Sequence, residues 1–217
     1  MLRILRALPA YFGGKRRLLG PIFRPLPGPA EAPVFLDPFG GGGAVSLCAK
    51  ARGYRVLCND VALRSYIVGK ALIENDHVTL SRDDLVRLAV PVEEVGYAQT
   101  HLAGHVLPAA HARFVDVLLA RARDHDSMIR WLALLLVIKH VLRLRPMGNF
   151  GAKTIMRQAA AGAWEEMNPH YLRDLVVRGV PRHPIRLAEA IRQQINASMF
   201  SNGQANEAHQ GDALEFL

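Results

Sequence analysis

Apolar positions in the first third of the chain predict a strand that leads into a glycine-rich loop. Residues 34–36 are apolar, and the run ends at Asp37. Two further residues follow, and then four consecutive glycines. A short apolar run that stops in this way is typical of a buried strand followed by a tight loop. We therefore place the first strand at residues 34–37.

The residues after the glycines predict a helix and a second strand. Residues 44–51 suit a helix, and Gly53 stands where a left-handed glycine would close it. Residues 54–58 are again apolar, and this run ends at Asn59 and Asp60. The order strand, helix, strand predicts a βαβ unit and therefore the parallel sheet of an α/β fold.

Helical spacing dominates most of the remaining chain. The pair Asp83-Asp84 can begin one helix, and a long amphipathic pattern runs from about His111 through Arg143. Residues 184–196 are helical again. The apolar residues 197–201 that follow predict a third strand.

Composition excludes several classes of protein. The chain has 217 residues, of which 50% are hydrophobic and 21% charged, so it can bury a core without a disulfide or metal staple. Its longest apolar stretch, residues 131–138, is too short to span a membrane. Cys48 and Cys58 lack zinc-site spacing, and we expect both to be buried as small apolar residues, with His140 buried on its helix. A soluble cytosolic globular protein without a metal site is the expectation.

Positive charge is concentrated in two blocks. The net charge is +8; residues 1–30 hold six Lys or Arg and no acid, and residues 139–186 hold nine against three acids. Blocks of one sign indicate a polyanionic partner, most often nucleic acid. An ordinary basic surface is the alternative.

The glycine-rich loop and an acid after the second strand point to a nucleoside ligand. Asp60 follows Gly40 by 20 residues. Glycines let a backbone approach a ligand closely, and a carboxylate at this strand end can accept the hydroxyls of a ribose. The spacing is not that of a dinucleotide fingerprint, and the Walker lysine is missing, so NAD and ATP are less favoured. A flexible turn is the alternative interpretation of the glycines.

A second motif lies near the N-terminus. Residues 9–15 read Pro-Ala-Tyr-Phe-Gly-Gly-Lys, which brings two aromatic rings, two glycines and an ammonium together. Lys15 can pair with a carboxylate, and the rings can stack on a base or a sulfonium. A basic N-terminal turn without a ligand is the simpler alternative.

Taken together, these motifs resemble the Dam-type adenine-specific DNA methyltransferases. The matching segments, in the order of the family, are Tyr11-Phe12-Gly13-Gly14-Lys15, residues 35–43, Asn59-Asp60-Val61 with Tyr66 after it, and Gly211-Asp212-Ala213. The resemblance is good over residues 8–75 and moderate over residues 184–217. Between them the chain matches only in position, as the expected target-recognition segment.

The resemblance implies a fold and a division of the chain. It implies a Rossmann-like S-adenosylmethionine methyltransferase sheet, with an incomplete cofactor-binding core formed by residues 1–75 and 184–217. Residues 76–183 would form a helical, basic target-recognition insertion that contacts DNA. Three strands are fewer than the sheet of the family has, so we expect its C-terminal strands to be missing from this chain.

The resemblance also implies ligands and site residues. Asp60 would bind the ribose of S-adenosylmethionine, Lys15 and the region of Tyr11 its methionine end, and Asp212 would lie near its adenine. The full expected cofactor-binding set is Tyr11, Phe12, Gly13, Lys15, Asp37, Phe39, Gly41, Gly43, Asp60 and Asp212. Double-stranded DNA would meet Arg143, Arg145, Asn149, Lys153 and Arg157. For Asp37 the alternative is a carboxylate that caps the following helix.

The catalytic motif of the family is not found in these residues. The family uses an Asp-Pro-Pro-Tyr segment, and the nearest string here is Asn168-Pro169-His170-Tyr171, which predicts a helix start. In the family this motif follows shortly after the point where this chain ends. We therefore assign no catalytic residue, and expect the motif in a missing C-terminal segment or a second polypeptide.

The expected function is transfer of a methyl group from S-adenosylmethionine to the exocyclic amine of adenine in DNA. The setting would be the cytoplasm of a prokaryote, or a plasmid or phage. One alternative is a catalytically inactive module that binds DNA and S-adenosylmethionine, or one half of a split methyltransferase. A nicotinamide-dependent Rossmann-like enzyme is a more distant one.

Overall fold

The computed structural model describes residues 3–104, 106–144, 157–158, 161–165, 169–178 and 182–217. Its strands are β1 (Val34–Asp37), β2 (Arg55–Asn59) and β3 (Glu207–His209). The α-helices are α1 (Leu19–Phe23), α2 (Ala44–Ala51), α3 (Leu63–Val68), α4 (Arg82–Leu88), α5 (Tyr97–His101), α6 (Ala109–Arg123), α7 (Met128–Leu144), α8 (Pro169–Arg178), α9 (Pro184–Asn196) and α10 (Ala213–Phe216). Short 3-10 turns cover Ile4–Arg6 and Arg16–Leu18, and a π-helical stretch, Gly69–Glu74, continues α3.

The three strands form one parallel sheet in the order β1-β2-β3. Leu36 lies opposite Leu57, which in turn lies opposite Glu207. The predicted α/β class with a parallel sheet is therefore confirmed, and the first strand and α2 have the predicted bounds. The second strand begins and ends one residue later than predicted.

The third strand was predicted in the wrong place. Residues 197–201 form no strand; Ala197 is the C-cap of α9, and the Ser198 hydroxyl donates to Gln194 O at 3.0 Å. Met199 and Phe200 are apolar because they pack on the core as the chain leaves the helix. The third strand of the described sheet is instead β3, which is short and has the polar residues Glu207 and His209 on either side of Ala208.

One face of the sheet carries the core. Phe35, Val56, Cys58 and Ala208 lie on this face, and α2 packs against it. The opposite face exposes apolar side chains of β1. Cys48 and Cys58 are both buried, as predicted.

The long amphipathic pattern predicted between His111 and Arg143 belongs to two helices. The segment 124–127 separates α6 from α7, and its Ser127 hydroxyl accepts the Ile129 N–H at the start of α7 at 3.3 Å. The two helices pack on each other, and α7 also packs on α3 and α9. This contact joins the helical middle of the chain to the part that carries the sheet.

Other predicted helices are confirmed. The helix predicted at Asp83-Asp84 begins at Arg82 with Ser81 as its cap, and residues 184–196 form α9. Helix α8 begins at Pro169, as expected from a helix start, whereas Asn168 lies outside the described residues. None of the helices described is long and apolar enough to cross a membrane. The part of the chain that the structure describes holds no group of three metal-ligating side chains that could bind an ion.

Candidate functional site

A cavity of about 890 Å³ lies where β1 and β2 end. In open parallel sheets the carboxyl ends of the strands are where ligands usually bind, and this volume falls within the range of small-molecule sites. Two segments form its walls: residues 9–17 before α1, and residues 39–42 after β1 together with Ala44 and Val45 at the start of α2. Asp37 and Asp60, where β1 and β2 end, also line it.

Asp60 is held in position by the loop beside it. The Gly41 N–H donates to Asp60 Oδ2 at 2.8 Å, and the Ala62 N–H donates to Oδ1 at 2.9 Å. Each oxygen of a carboxylate has two acceptor positions, so each keeps one for a ligand. The arrangement suits two neighbouring hydroxyl groups, such as those of a ribose.

Asp37 is the second acid of the cavity, and it is half-buried at the end of β1. Its Oδ2 accepts a short hydrogen bond from the Ser46 hydroxyl, one turn inside α2. Burial raises the pKa of Asp37, the hydrogen bonds from Ser46 and from the Phe39 backbone oppose this rise, and the nearby Asp60 adds to it. Asp37 does not cap α2, because the N-cap is Gly43 and no side chain bonds there. The carboxylate is therefore available to a cationic group in the cavity.

The glycine-rich loop is shaped by close contacts. A Cβ on Gly42 would lie 2.7 Å from the Tyr11 Cβ, which is closer than real Cβ atoms come. Gly43 has φ of +73° at the start of α2, and a Cβ there would lie 2.7 Å from a methyl group of Val68. Glycine is thus required at both positions, because only glycine allows α3 and the N-terminal aromatic segment, residues 9–15, to pack against the loop.

Tyr11 is fixed on its other side by Arg64. The Arg64 guanidinium lies 5.1 Å from the centre of the Tyr11 ring and donates a short hydrogen bond to Ala10 O. Arg16 supports the same segment by donating to Leu8 O at 2.9 Å and to Pro9 O at 3.1 Å. Arg64, Arg16 and Ser46 were not predicted as site residues, since the spacing along the chain does not indicate these contacts.

The walls of the cavity differ in charge and in polarity. The side formed by the strand ends holds the two carboxyl groups, whereas the N-terminal wall holds Lys15, Arg16 and Arg17. Phe12 and Phe39 also line it, and their side chains are 72% and 76% exposed. A ligand with hydroxyl or cationic groups at one end, a carboxylate at the other and an aromatic ring would match these features.

Most of the predicted cofactor-binding residues meet in this cavity. Eight of them line it: Tyr11, Phe12, Gly13, Lys15, Asp37, Phe39, Gly41 and Asp60. Gly43 lies behind the lining, as the N-cap of α2. Asp212 is not brought to the cavity; its Oδ1 accepts the Leu214 N–H at 2.7 Å and caps α10. A role for Asp212 near an adenine remains a prediction.

The predicted DNA-contacting residues are only partly described. Arg143 is exposed near the end of α7, and its guanidinium donates to Val177 O at 3.5 Å. Arg157 is also exposed. The other three, Arg145, Asn149 and Lys153, lie outside the described residues.

Comparison with known proteins identifies the family. The chain is 24% identical over 215 residues to the Type II methyltransferase M2.HphI of Haemophilus parahaemolyticus. The match covers 95% of this chain and 60% of that relative, so the chain spans about three fifths of the relative's length. No solved structure matches the chain significantly. Residues 11–138, more than half of the chain, match the model of one family, and the chain therefore belongs to the D12 class N6 adenine-specific DNA methyltransferases.

Proposed function

We propose that this chain binds S-adenosylmethionine in the cavity beside the glycine-rich loop, as part of a site-specific DNA adenine methyltransferase. The observation that carries the proposal is the Asp60 carboxylate. It stands at the end of β2, both of its oxygens are held by backbone N–H groups, and it faces a cavity of ligand size. This arrangement supplies a ribose site before any ligand arrives.

The remaining lining fits the rest of the cofactor. Asp37 would face the positively charged centres of the methionine part, and Lys15 its carboxylate. The exposed aromatic rings offer flat surfaces for stacking. The residues proposed to hold it are Tyr11, Phe12, Gly13, Lys15, Asp37, Phe39, Gly41, Gly43 and Asp60, with Asp212 as a further contact. Bound S-adenosylmethionine supplies an electrophilic methyl group on a sulfonium.

The proposal extends to the architecture. The parallel sheet would be the core of a Rossmann-like methyltransferase fold, to which residues 1–75 and 184–217 contribute. Residues 76–183 would be the target-recognition insertion. The family sheet has more strands than the three described here, and the proposal assigns the additional ones to parts of the whole protein other than these residues.

Double-stranded DNA is the proposed macromolecular partner. Family membership and the two blocks of positive charge support it, since phosphate neutralisation by Lys and Arg supplies most of the affinity of such proteins. The adenine would leave the duplex to reach the cofactor. Because the relative is a Type II methyltransferase, a cytoplasmic restriction-modification role belongs to the same proposal.

Methyl transfer itself is proposed for the whole enzyme. The 217 residues contain no Asp-Pro-Pro-Tyr, so no residue of this chain is assigned to polarise the adenine amine. This observation favours a second candidate function, in which the chain binds S-adenosylmethionine and DNA without chemistry. Incubation of the whole enzyme, rather than of these 217 residues alone, with duplex DNA and methyl-labelled cofactor separates the two, because labelled DNA supports the enzyme and binding without labelling supports the module.

Ligand selectivity tests the proposal for the cavity. Equilibrium dialysis of the chain against S-adenosylmethionine, ATP and NADH at equal concentrations should show saturable retention of S-adenosylmethionine alone. Tight binding of NADH instead would replace the proposal with a nicotinamide-dependent enzyme. Retention of none of the three would contradict the proposed cofactor site.

A further inference from the structure

The larger cavity beside the glycine-rich loop, proposed above to bind S-adenosylmethionine, is called the cofactor cavity from here on. A second, smaller cavity lies behind its N-terminal wall. Its volume is about 270 Å³, and its walls come from residues 6–10, from α7 and from α9. Leu8, Leu142 and Ile191 form an apolar floor. We call this cavity the basic pocket, because Arg6, Lys139 and Arg143 also line it and its described lining includes no acidic residue.

Lys139 is the innermost cation of the basic pocket. Its ammonium donates to Arg6 O at 2.7 Å, and within the described parts of the chain no carboxylate pairs with it. Burial lowers the pKa of Lys139 to about 8, and the nearby guanidinium groups of Arg16 and Arg143 contribute to the fall. An ammonium has three N–H donors, and those that Lys139 does not use on Arg6 O can bind an anion. The neighbouring cations would attract the same anion.

The basic pocket is adjacent to the cofactor cavity. Pro9 and Ala10 line both cavities, so the segment that contains them is their common wall. Arg16 supports this wall through its hydrogen bonds to Leu8 O and Pro9 O. An anion in the basic pocket would therefore lie one chain thickness from the lining of the proposed methyl-donor site.

We propose that the basic pocket binds a phosphodiester group of the duplex DNA, next to the adenine nucleotide that the enzyme methylates. This inference rests on the proposed function and deepens it. Lysine acts as a point charge on a phosphate, whereas arginine binds two of its oxygens at once, so Lys139 and Arg143 complement each other. The volume accommodates a phosphate with its sugar, and the apolar floor suits the sugar carbons.

Salt-dependent DNA binding tests the inference. We would measure the affinity of the full chain for a fluorescent duplex by anisotropy over a series of salt concentrations. Lys139→Gln and Arg143→Gln each remove one cation of the basic pocket. Arg52→Gln is the matched control, because its side chain is exposed, it lines neither cavity, and it lies outside both blocks of positive charge and outside residues 76–183.

Each pocket variant should lower the slope of log affinity against log salt by about 1, because one phosphate contact is lost. Affinity at low salt should fall at least about threefold, and Arg52→Gln should keep the wild-type slope. If Lys139→Gln lowers the melting temperature, because its ammonium also supports Arg6 O, the exposed Arg143→Gln decides the question alone. Wild-type slopes in the pocket variants would overturn the inference.

Two further outcomes separate the possible sources of failure. Saturable binding of inorganic phosphate that the pocket variants abolish, with unchanged slopes for DNA, would assign the basic pocket to a small anion and overturn the inference. A wild-type chain that binds S-adenosylmethionine but no duplex would overturn the inference and the DNA part of the proposed function. Binding of duplex with unchanged slopes in the variants would overturn the inference about the basic pocket and leave the proposed function intact.

Discussion

Tyr11 and Gly42 form the contact on which the shape of the cofactor cavity depends. The aromatic segment and the glycine-rich loop come from distant parts of the sequence, and they meet where a Cβ on Gly42 would overlap the Tyr11 Cβ. Rotation of the Tyr11 ring cannot relieve that overlap, because the Cβ is attached directly to the backbone. Any side chain at Gly42 must therefore move one wall of the cavity.

Gly42→Ala is expected to weaken the binding of S-adenosylmethionine by about tenfold, or about 1.4 kcal/mol. Overpacking of this contact should also lower the free energy of unfolding by about 1–3 kcal/mol. Gly28→Ala is the matched control, because a Cβ at Gly28 meets nothing within 4 Å. Calorimetric titration and thermal melts measure both quantities, and equal effects of the two substitutions would contradict the proposed packing.

Asp37 makes the affinity for a cationic ligand dependent on pH. Burial raises the pKa of this carboxyl, so it takes up a proton at a higher pH than an exposed aspartate does. A sulfonium or ammonium nearby favours the ionised form, so affinity should fall as the pH is lowered through this raised pKa. Asp37→Asn should bind more weakly at neutral pH and lose this pH dependence. Parallel titration curves for the two proteins would contradict the assignment.

At the level of elements, Asp116 ties two helices together. It is buried in α6, and its carboxylate accepts the Ala98 N–H at 2.9 Å and the Gln99 N–H at 2.7 Å at the start of α5. Helix α5 has no side-chain cap of its own, and its N-cap is Gly96, where a Cβ would lie 2.4 Å from Asp116 Cγ. The carboxylate of one helix thus performs the capping of another.

Asp116→Ala is expected to lower the free energy of unfolding by about 2 kcal/mol, because it leaves two backbone N–H groups of α5 without an acceptor. Asp126→Ala serves as the control, since Asp126 is exposed. Its effect should stay within about 0.5 kcal/mol. Denaturant unfolding measures both, and a similar loss in the two variants would show that the cap contributes nothing specific.

Local pattern accounts for the elements that were predicted correctly. The bounds of β1 and α2 are marked by an apolar run, by glycines and by Gly53, all of which act on neighbouring residues. The bounds of β3 are not marked in this way, since three partly polar residues become a strand only because β2 lies beside them. The break between α6 and α7 was missed because segment 124–127 does not disturb the helical period of its flanks.

The candidate site shows the same division between features marked by neighbouring residues, which were predicted, and contacts between distant segments, which were not. The motifs predicted eight of the residues that line the cavity, because each motif is a continuous string. Contacts between strings were not predictable: Arg64 bonds Ala10, which is 54 residues away, and Asp116 reaches a helix 17 and 18 residues earlier. Lys50, fully buried and bonded to Asn75 O at 2.6 Å, is a charged residue that no pattern places in the core.

For the molecule as a whole, a buried histidine pair joins α6 and α7 to Arg182, two residues before α9. His111 Nε2 donates to Arg182 O at 3.0 Å, since a carbonyl can only accept. In the neutral pair His140 Nε2 therefore donates to His111 Nδ1, 2.9 Å away. The Nδ1 of His140 has no hydrogen-bond partner among the described residues. His140 is a buried packing residue, as expected, and burial with the neighbouring His111 lowers its pKa to about 3.

Stability should therefore fall as the solution becomes acidic. Below a pH of about 6.5 the unfolded chain protonates His140 while the folded protein does not, so the free energy of unfolding drops by about 1.4 kcal/mol per pH unit from this group until the pH nears 3. His140→Gln should show a shallower loss, whereas His77→Gln, at an exposed position, should follow the wild type. Urea unfolding at several pH values measures the slopes, and identical slopes for all three would contradict this role.

The central claim is that the cavity beside the glycine-rich loop binds S-adenosylmethionine through Asp60. Calorimetric titration of the cofactor into the wild type, Asp60→Asn and the exposed control Asp126→Asn tests it most directly. We predict saturable binding to the wild type and the control, and a loss of at least about tenfold in affinity for Asp60→Asn. Equal affinity in all three proteins, or no binding by the wild type, would contradict the account.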